Sequence, residues 1–185
     1  RRQTQLRLLL EPGWMMKALV TGASGHLGEA MVRRLCADGA SVTGVDVNES
    51  ALTDVVGSVA DPALVRELMA GVDVVYHTAT LHKPHIGTHS KLGFVEANVA
   101  GTLALLEAAA AQAVSAFVST STTSFYGDAM RPAPGAPAVW VTEDLVPLPK
   151  NIYGATKLAA ENLCRLFQRN QGLACVVLRT SRFFP

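Results

Sequence analysis

Apolar runs and turn signals alternate along this chain with a spacing that predicts six short strands separated by helices. Lys17-Ala18-Leu19-Val20-Thr21 is a brief buried-strand run that stops at a glycine. From His26 to Asp38, Leu27, Ala30, Met31, Arg34 and Leu35 recur at helical spacing, and Gly39 closes the segment. Ser41 to Asp46 predicts a second strand and Thr53 to Val59 a third. Asp61-Pro62 opens a helix through Ala70, with the aspartate as N-cap and the proline at the first helical position. Val72 to Thr78 predicts a fourth strand, and a long helix follows from about Ser90 to Gln112. Val114 to Ser121 is the fifth strand, Ile152 to Asn170 another helix, and Ala174 to Thr180 the sixth strand. The proline-rich stretch from Asp128 to Pro149 predicts a long irregular loop, the kind of segment that carries function or stays unfolded.

Strands that are apolar throughout and alternate with helices imply a parallel sheet covered on both faces. Right-handed crossovers then give an α/β doubly wound sheet of the Rossmann type. Composition agrees: 49% of the 185 residues are hydrophobic and 17% charged, enough apolar material for one core and too few charges for a disordered tail. A formal charge of +1 gives no concentrated basic surface, which argues against a nucleic-acid partner. Cys36, Cys164 and Cys175 lie far apart, against a disulfide scaffold or a cysteine zinc site and in keeping with a reducing, cytoplasmic compartment. No apolar run reaches the roughly 18 residues of a membrane-spanning helix, so no membrane partner is expected. Arg1 to Leu10 places basic residues before leucines, but Glu11-Pro12-Gly13 ends that run without a small-residue cleavage site. The native start is expected at Met15 or Met16, which makes residues 1–15 leader or added sequence and residues 16–185 the folded domain.

Thr21-Gly22-Ala23-Ser24-Gly25-His26-Leu27-Gly28 leaves the first strand and opens the first helix. A helix N-terminus offers unpaired N–H groups and a partial positive charge. Glycines there let the backbone approach a pyrophosphate with no Cβ in the way. The spacing is GxxGxxG, and it lies about 18 residues before Asp46 at the end of the second strand. A carboxylate at that place accepts hydrogen bonds from both adenosine ribose hydroxyls and repels a 2′-phosphate. No arginine follows in Val47-Asn48-Glu49-Ser50, so NAD is favoured over NADP.

Tyr153-Gly154-Ala155-Thr156-Lys157 puts a tyrosine and a lysine on one helix face. A free phenol, with a pKa of about 10, is a poor base at neutral pH. A neighbouring ammonium and the positive ring of an oxidised nicotinamide favour phenolate.

With TGASGHLG, HTAT at His77 to Thr80, NVAGT at Asn98 to Thr102, STTSFYG at Ser121 to Gly127 and YGATK in register, the chain from Lys17 to Pro185 resembles the N-terminal part of an extended short-chain dehydrogenase/reductase. The resemblance is to the NAD-dependent epimerase/dehydratase family. It implies that Tyr153 is the general acid/base, Lys157 its partner, and Thr122 the hydroxyl that holds the reacting oxygen. It also implies a cofactor-binding set of Gly22, Ser24, Gly25, His26, Leu27, Gly28, Asp46, Ser58, Val59, Ala79, Thr80 and Asn98, with Tyr153 and Lys157. Asn98 has a structural or cofactor-supporting role in this set. Ser58 departs from the family's usual aspartate at the adenine, His82 stands where sugar 4-epimerases often carry a lysine, and Arg182 replaces a usual asparagine. The last change weakens the nucleotide-sugar assignment without touching cofactor chemistry.

Thr123 and Ser124 occupy positions where dehydratases carry an Asp-Glu pair or a Glu, and neither works as a carboxylic acid near neutral pH. Dehydration is therefore disfavoured. What remains is NAD-dependent hydride transfer at a secondary alcohol, with an epimerase of a nucleotide sugar leading. A dehydrogenase or reductase of a non-sugar alcohol and a non-catalytic NAD-binding regulator stay open. His82, His85 and His89 lack a nearby Cys, Asp or Glu to complete a metal site, so no metal is assigned, while a substrate-facing role for one of them remains. Trp140 fits either a pocket lining or an anchor for the long loop, and Cys164 fits core packing. Members of the family commonly dimerise through the two long helices, so a homodimer is expected, with burial within one chain as the alternative. The family continues into a smaller C-terminal substrate domain, which these 185 residues are expected to lack. On that reading the chain binds NAD and turns over poorly by itself.

Overall fold

The computed structural model describes residues 15–181. The expectations for residues 1–14 and for Arg182 lie outside them. Six strands, β1 (Lys17–Thr21), β2 (Ser41–Asp46), β3 (Val55–Val56), β4 (Val74–His77), β5 (Ala116–Thr122) and β6 (Cys175–Thr180), form one parallel sheet in the order β3-β2-β1-β4-β5-β6. The order reverses between β1 and β4, the switch point at which open α/β sheets take ligands at the carboxyl ends of their strands.

Helices α1 (His26–Ala37), α2 (Pro62–Leu68), α3 (Lys91–Ala111) and α4 (Ile152–Gln171) cover both faces, as the alternation predicts. The larger core lies on the side of α2, α3 and α4 and holds Leu19, Val45, Val75, Leu105, Phe117 and Cys164. The smaller one, under α1, holds Ala18, Val20, Val32 and Leu35. Asp61 caps α2 as expected, its side chain accepting from the N–H groups of Ala63 and Leu64. Helix α3 is long and apolar enough to cross a membrane by length and composition alone, but Leu105, Leu106 and Ala109 are fully buried in the core. Its hydropathy is accounted for by that packing.

Two elements differ from the sequence reading. The third strand shrinks to Val55–Val56, because only Val45↔Val55 and Asp46↔Val56 pair at this sheet edge. Asp54, expected within that strand, instead turns its carboxylate to the N–H of Gly44 at 2.7 Å. The long helix is not uniformly α: Glu96–Ala100 forms a π turn, in which the Gly101 N–H donates to the Glu96 carbonyl five residues back. Asn98 sits inside that turn.

At the end of β4, His77 is buried between Thr21 and Thr102, its Nδ1 2.7 Å from Thr21 Oγ1 and its Nε2 3.0 Å from Thr102 Oγ1. Thr102 Oγ1 also donates to the Asn98 carbonyl, so it accepts from Nε2–H, and Nδ1 accepts from the Thr21 hydroxyl. Burial first, and then the charge of Lys157, hold the His77 pKa down at about 3 from an ordinary 6.5. Between those two values the unfolded chain binds a proton that the folded one refuses. This contribution to stability is therefore whole above pH 6.5 and is lost as pH falls towards 3. Urea midpoints measured across that window are expected to decline for the parent protein and to decline less for His77→Gln; equal slopes would refute the assignment.

Candidate active site

The glycine turn lies where β1 ends beside β4. Gly22 has φ +77°, and a Cβ there would come within 2.7 Å of the Ala79 nitrogen, so the turn and the end of β4 are in direct backbone contact. At Gly28 a Cβ would meet the Gly22 carbonyl oxygen at 1.9 Å, which is how closely α1 rests on the turn. Gly25 is the N-cap of α1 and brings no side chain to it, and both Gly25 and His26 are exposed. The helix start is therefore uncapped by any side chain and reachable by anionic oxygens at Gly25 and His26. Asp46 stands at the lip of the turn, where Oδ2 accepts from the Ser24 N–H at 3.1 Å and Oδ1 from the Asn48 N–H at 2.9 Å. A carboxylate has four lone-pair sites, so acceptor capacity remains.

The other cofactor candidates divide by surroundings. Leu27 is half-buried at the start of α1. The Ala79 N–H donates to Thr21 Oγ1, which fixes the end of β4 to the end of β1. Ser58 is exposed, its hydroxyl accepting from the Ala60 N–H, whereas Val59 packs in the core against Gly101. Asn98 uses its whole amide: Oδ1 accepts from Thr80 Oγ1 at 2.9 Å and the Leu81 N–H at 2.8 Å, while Nδ2 donates to the Leu81 carbonyl and to Thr156 Oγ1. It thus clamps the segment after β4 to α4, acting through its neighbours. Thr156, which sequence reasoning did not single out, completes the clamp from within YGATK.

Thr122, Tyr153 and Lys157 converge because α4 begins hard against the turn that follows β5. Asn151 caps α4 by accepting from the Gly154 N–H at 2.9 Å. A Cβ on Gly154 would lie 3.2 Å from the Phe125 Cα and from the Ser124 carbonyl oxygen, so the first turn of the helix has no slack there. Thr122 caps the 3-10 turn Thr123–Tyr126, its hydroxyl accepting from the Ser124 N–H at 3.0 Å. All three side chains are buried.

Their proton affinities depart from the expectation. Burial pushes the Tyr153 phenol above its ordinary 10.0, and the Thr122 hydroxyl pulls part of that back. The Lys157 Nζ donates to the Thr120 carbonyl at 2.7 Å, and burial prevails over the charge it brings to the site. Burial instead lowers Lys157 itself to about 8, with Cys164 and Glu161 opposing the fall. Lys157 is therefore a cation held with difficulty, close to losing its proton at mild alkalinity.

A second network supports this pair from behind. Glu161, one turn after Lys157 and buried, receives the Arg179 guanidinium through Nε at 3.2 Å and Nη2 at 2.9 Å. Arg179 Nη1 also donates to Tyr126 Oη at 2.8 Å, and Tyr126 donates to the Thr142 carbonyl in the long loop. Sequence reading passed over these residues. The available signal was an arginine placed inside the otherwise apolar strand CVVLRT.

Trp140, expected at a pocket or as an anchor, is 89% exposed and serves neither role within the chain. His82, His85 and His89 form a contiguous cluster on the segment after β4, the outer two exposed and His85 half-buried, with ring centroids 4.4 and 5.1 Å apart.

Residues 18–184 match the model of the NAD dependent epimerase/dehydratase family. The chain belongs to that family. Within the NAD dependent epimerase/dehydratase family it is similar to the Stigmatella aurantiaca enzyme 4-hydroxy-2-methyl-3-oxo-4-farnesyl-3,4-dihydroquinoline-1-oxide ketoreductase, at 35% identity over 89% of this chain and 49% of the relative. Among solved structures it is similar to an Agrobacterium tumefaciens short-chain dehydrogenase/reductase with bound NAD, with TM-score 0.78 and 34% identity over 88% of this chain and 48% of that one. It is similar also to the Thermotoga maritima UDP-glucose 4-epimerase with UDP-glucose, with TM-score 0.77 and 27% identity over 89% and 55%. The chain spans about half the length of each of these proteins.

Proposed function

We propose that this chain is the cofactor-binding, hydride-transferring part of an NAD-dependent enzyme acting on a secondary alcohol, with an epimerase of a nucleotide sugar as the leading reading. The observation that carries it is the convergence of buried Thr122, Tyr153 and Lys157 at the carboxyl edge of the sheet, joined through Thr156 and Asn98 to the segment beside the glycine turn. The turn itself fits a dinucleotide. Side chains are excluded at Gly22 and Gly28 by backbone, while at Gly25, the uncapped helix start, a Cβ would press on the Gly22 carbonyl oxygen at 3.3 Å.

The chemistry supplied by bound NAD is reversible hydride uptake. Thr122 holds the alcohol oxygen, Tyr153 takes or returns its proton, and Lys157 contributes positive charge one helical turn away. Gly22, Ser24, Gly25, His26, Leu27 and Gly28 would hold the pyrophosphate, Asp46 the adenosine ribose, and Ala79 and Thr80 the far half of the dinucleotide. Dehydration finds no acid at Thr123 or Ser124. A reductase of a non-sugar ketone is the second reading, favoured by the 35% identity to a ketoreductase. Free cysteines are in keeping with the cytoplasm. The groove between α3 and α4 has Val99, Ala159, Leu163 and Leu166 bordered by Asn162, Arg165 and Arg169, a mixed surface on which a homodimer is proposed.

Calorimetric titration of the chain with NAD and NADP, followed by a turnover screen of nucleotide sugars and secondary alcohols on the full-length protein, tests this reading. NAD is expected to bind and NADP not. Asp46→Asn is expected to weaken NAD about tenfold and to bring the two cofactors together. Equal affinity for both in the parent protein would remove the role of Asp46.

A further inference from the structure

The segment following β4 carries chemistry that the hydride-transfer reading leaves unused. Between Asp73 and Glu96 the sequence contains no acid, yet residues 82–91 bring in His82, Lys83, His85, His89 and Lys91. Leu81, immediately before them, is held at both its N–H and its carbonyl by Asn98, which also receives Thr80 and bonds to Thr156 between Tyr153 and Lys157. Helix α4 packs against the turn Lys83–Gly87. The basic run is therefore tied to the rim of the site, on the side of the sheet where ligands bind.

Its shape is fixed by the imidazoles themselves. The His82 N–H donates to His85 Nδ1 at 3.0 Å, the His89 N–H donates to the His85 carbonyl at 3.0 Å, and the three rings follow one another at 4.4 and 5.1 Å. His82 and His89 are exposed and His85 between them is half-buried, and among the described residues none of them pairs with a carboxylate.

We propose that His82, His85 and His89, with Lys83 and Lys91, form an anion-binding rim of this site that takes an oxyanion, a phosphate or a carboxylate, carried by the substrate. That the anion belongs to a substrate rests on the hydride-transfer reading; the binding itself does not. A cation is the poorer occupant. Two lysines stand within the run, no acidic ligand is near, and among the described residues no group of three His, Cys, Asp or Glu side chains has metal-holding geometry.

The rim responds to pH in a definite direction. His85 is held below its ordinary 6.5 by burial and then by the flanking His82 and His89; no charged group on α4 acts on it, Lys157 there being turned to Thr120. Protonating Nδ1 also costs the bond from the His82 N–H. An oxyanion seated among the rings offsets the mutual repulsion and gives a protonated Nδ1–H an acceptor, so binding strengthens as pH falls.

The test uses the 185-residue chain labelled at histidine, with ring shifts followed by NMR from pH 5 to 8.5 in methyl phosphate, in sodium acetate and in sodium chloride of equal ionic strength. One of the two oxyanions is expected to raise the His85 midpoint by roughly half a unit, and to bind about two- to threefold tighter at pH 6 than at pH 8. A response to methyl phosphate alone supports a phosphorylated substrate, and one to acetate alone a carboxylated one. Lys83→Gln with Lys91→Gln, both on the surface, is expected to weaken that binding severalfold, and His82, His85 and His89 all changed to Gln to abolish it. Midpoints that ignore both oxyanions overturn the proposal. So does zinc chloride binding at micromolar concentration and shifting the same rings when neither oxyanion does. NAD titration of the same samples separates the two readings, because an intact oxyanion response without NAD binding removes the hydride-transfer assignment and leaves the rim standing.

Discussion

Tyr153→Phe in the full-length protein is expected to cut turnover by about 10²–10⁴-fold, the usual contribution of a positioned acid/base. NAD affinity should stay within about twofold, because one hydroxyl is lost and the ring still fills its buried place. The pH profile gives the sharper reading. In the direction of ketone reduction Tyr153 acts as an acid, and burial keeps it protonated past its ordinary 10.0. Lys157, brought down to about 8, is the group that changes state first. Because a lysine loses its positive charge on deprotonation, kcat/KM for reduction is expected to be level below pH 8 and to fall above it. Lys157→Met should show a low, flat profile without that limb. A parent profile that stays level to pH 10 would mean that the charge on Lys157 is not used.

The second large effect is expected at Gly28. Its missing Cβ would stand 1.9 Å from the Gly22 carbonyl oxygen, and backbone cannot rotate aside as a side chain can. Gly28→Ala therefore has to lift α1 off the turn, at a cost of at least about 2 kcal/mol in folding stability. NAD affinity should drop roughly a hundredfold or more, since about 2.7 kcal/mol of misplaced N–H contacts suffices for that. Gly25→Ala supplies the contrast. A Cβ there presses on the Gly22 oxygen at 3.3 Å, which a shift of a few tenths of an ångström relieves, so stability should fall much less than at Gly28 while the methyl group intrudes on the space reserved for phosphate. Thermal melts and NAD titrations on both variants decide the matter. Equal loss of stability in the two would show that the turn is only a fold element.

What could be read from the chain beforehand follows from how local each signal is. Strands β1 and β2 and the start of α1 carry their own punctuation in Gly22, Gly39 and Asp46, and they begin and end where that punctuation says. The third strand was overextended because Thr53 and Asp54 look compatible with a strand, while the choice belongs to the Gly44 N–H, ten residues earlier, that captures the Asp54 carboxylate. Thr122, Tyr153 and Lys157 could be named from motifs in sequence order. The rise found at Tyr153 was not legible in YGATK, because it comes from burial of the phenol and from where the Lys157 ammonium points, which is set by a carbonyl on β5. Arg179, Glu161 and Tyr126 went unread for a similar reason: partners 18 and 53 residues apart have no spacing rule to announce them.

The π turn of α3 has a consequence for sequence change in this helix. It accommodates one residue more than an α-helical path over the same rise, so the apolar stripes before and after it, at Phe94 and at Leu105-Leu106, run in different angular phases while both reach the core. Deleting a single residue between Glu96 and Ala100 would restore regular backbone bonding. It would leave the flanking stripes facing the core, since the wide turn already absorbs the extra residue, but it would disturb the place from which the Asn98 amide reaches Leu81 and Thr156. The widened turn thus serves the Asn98 clamp rather than the packing of the helix around it.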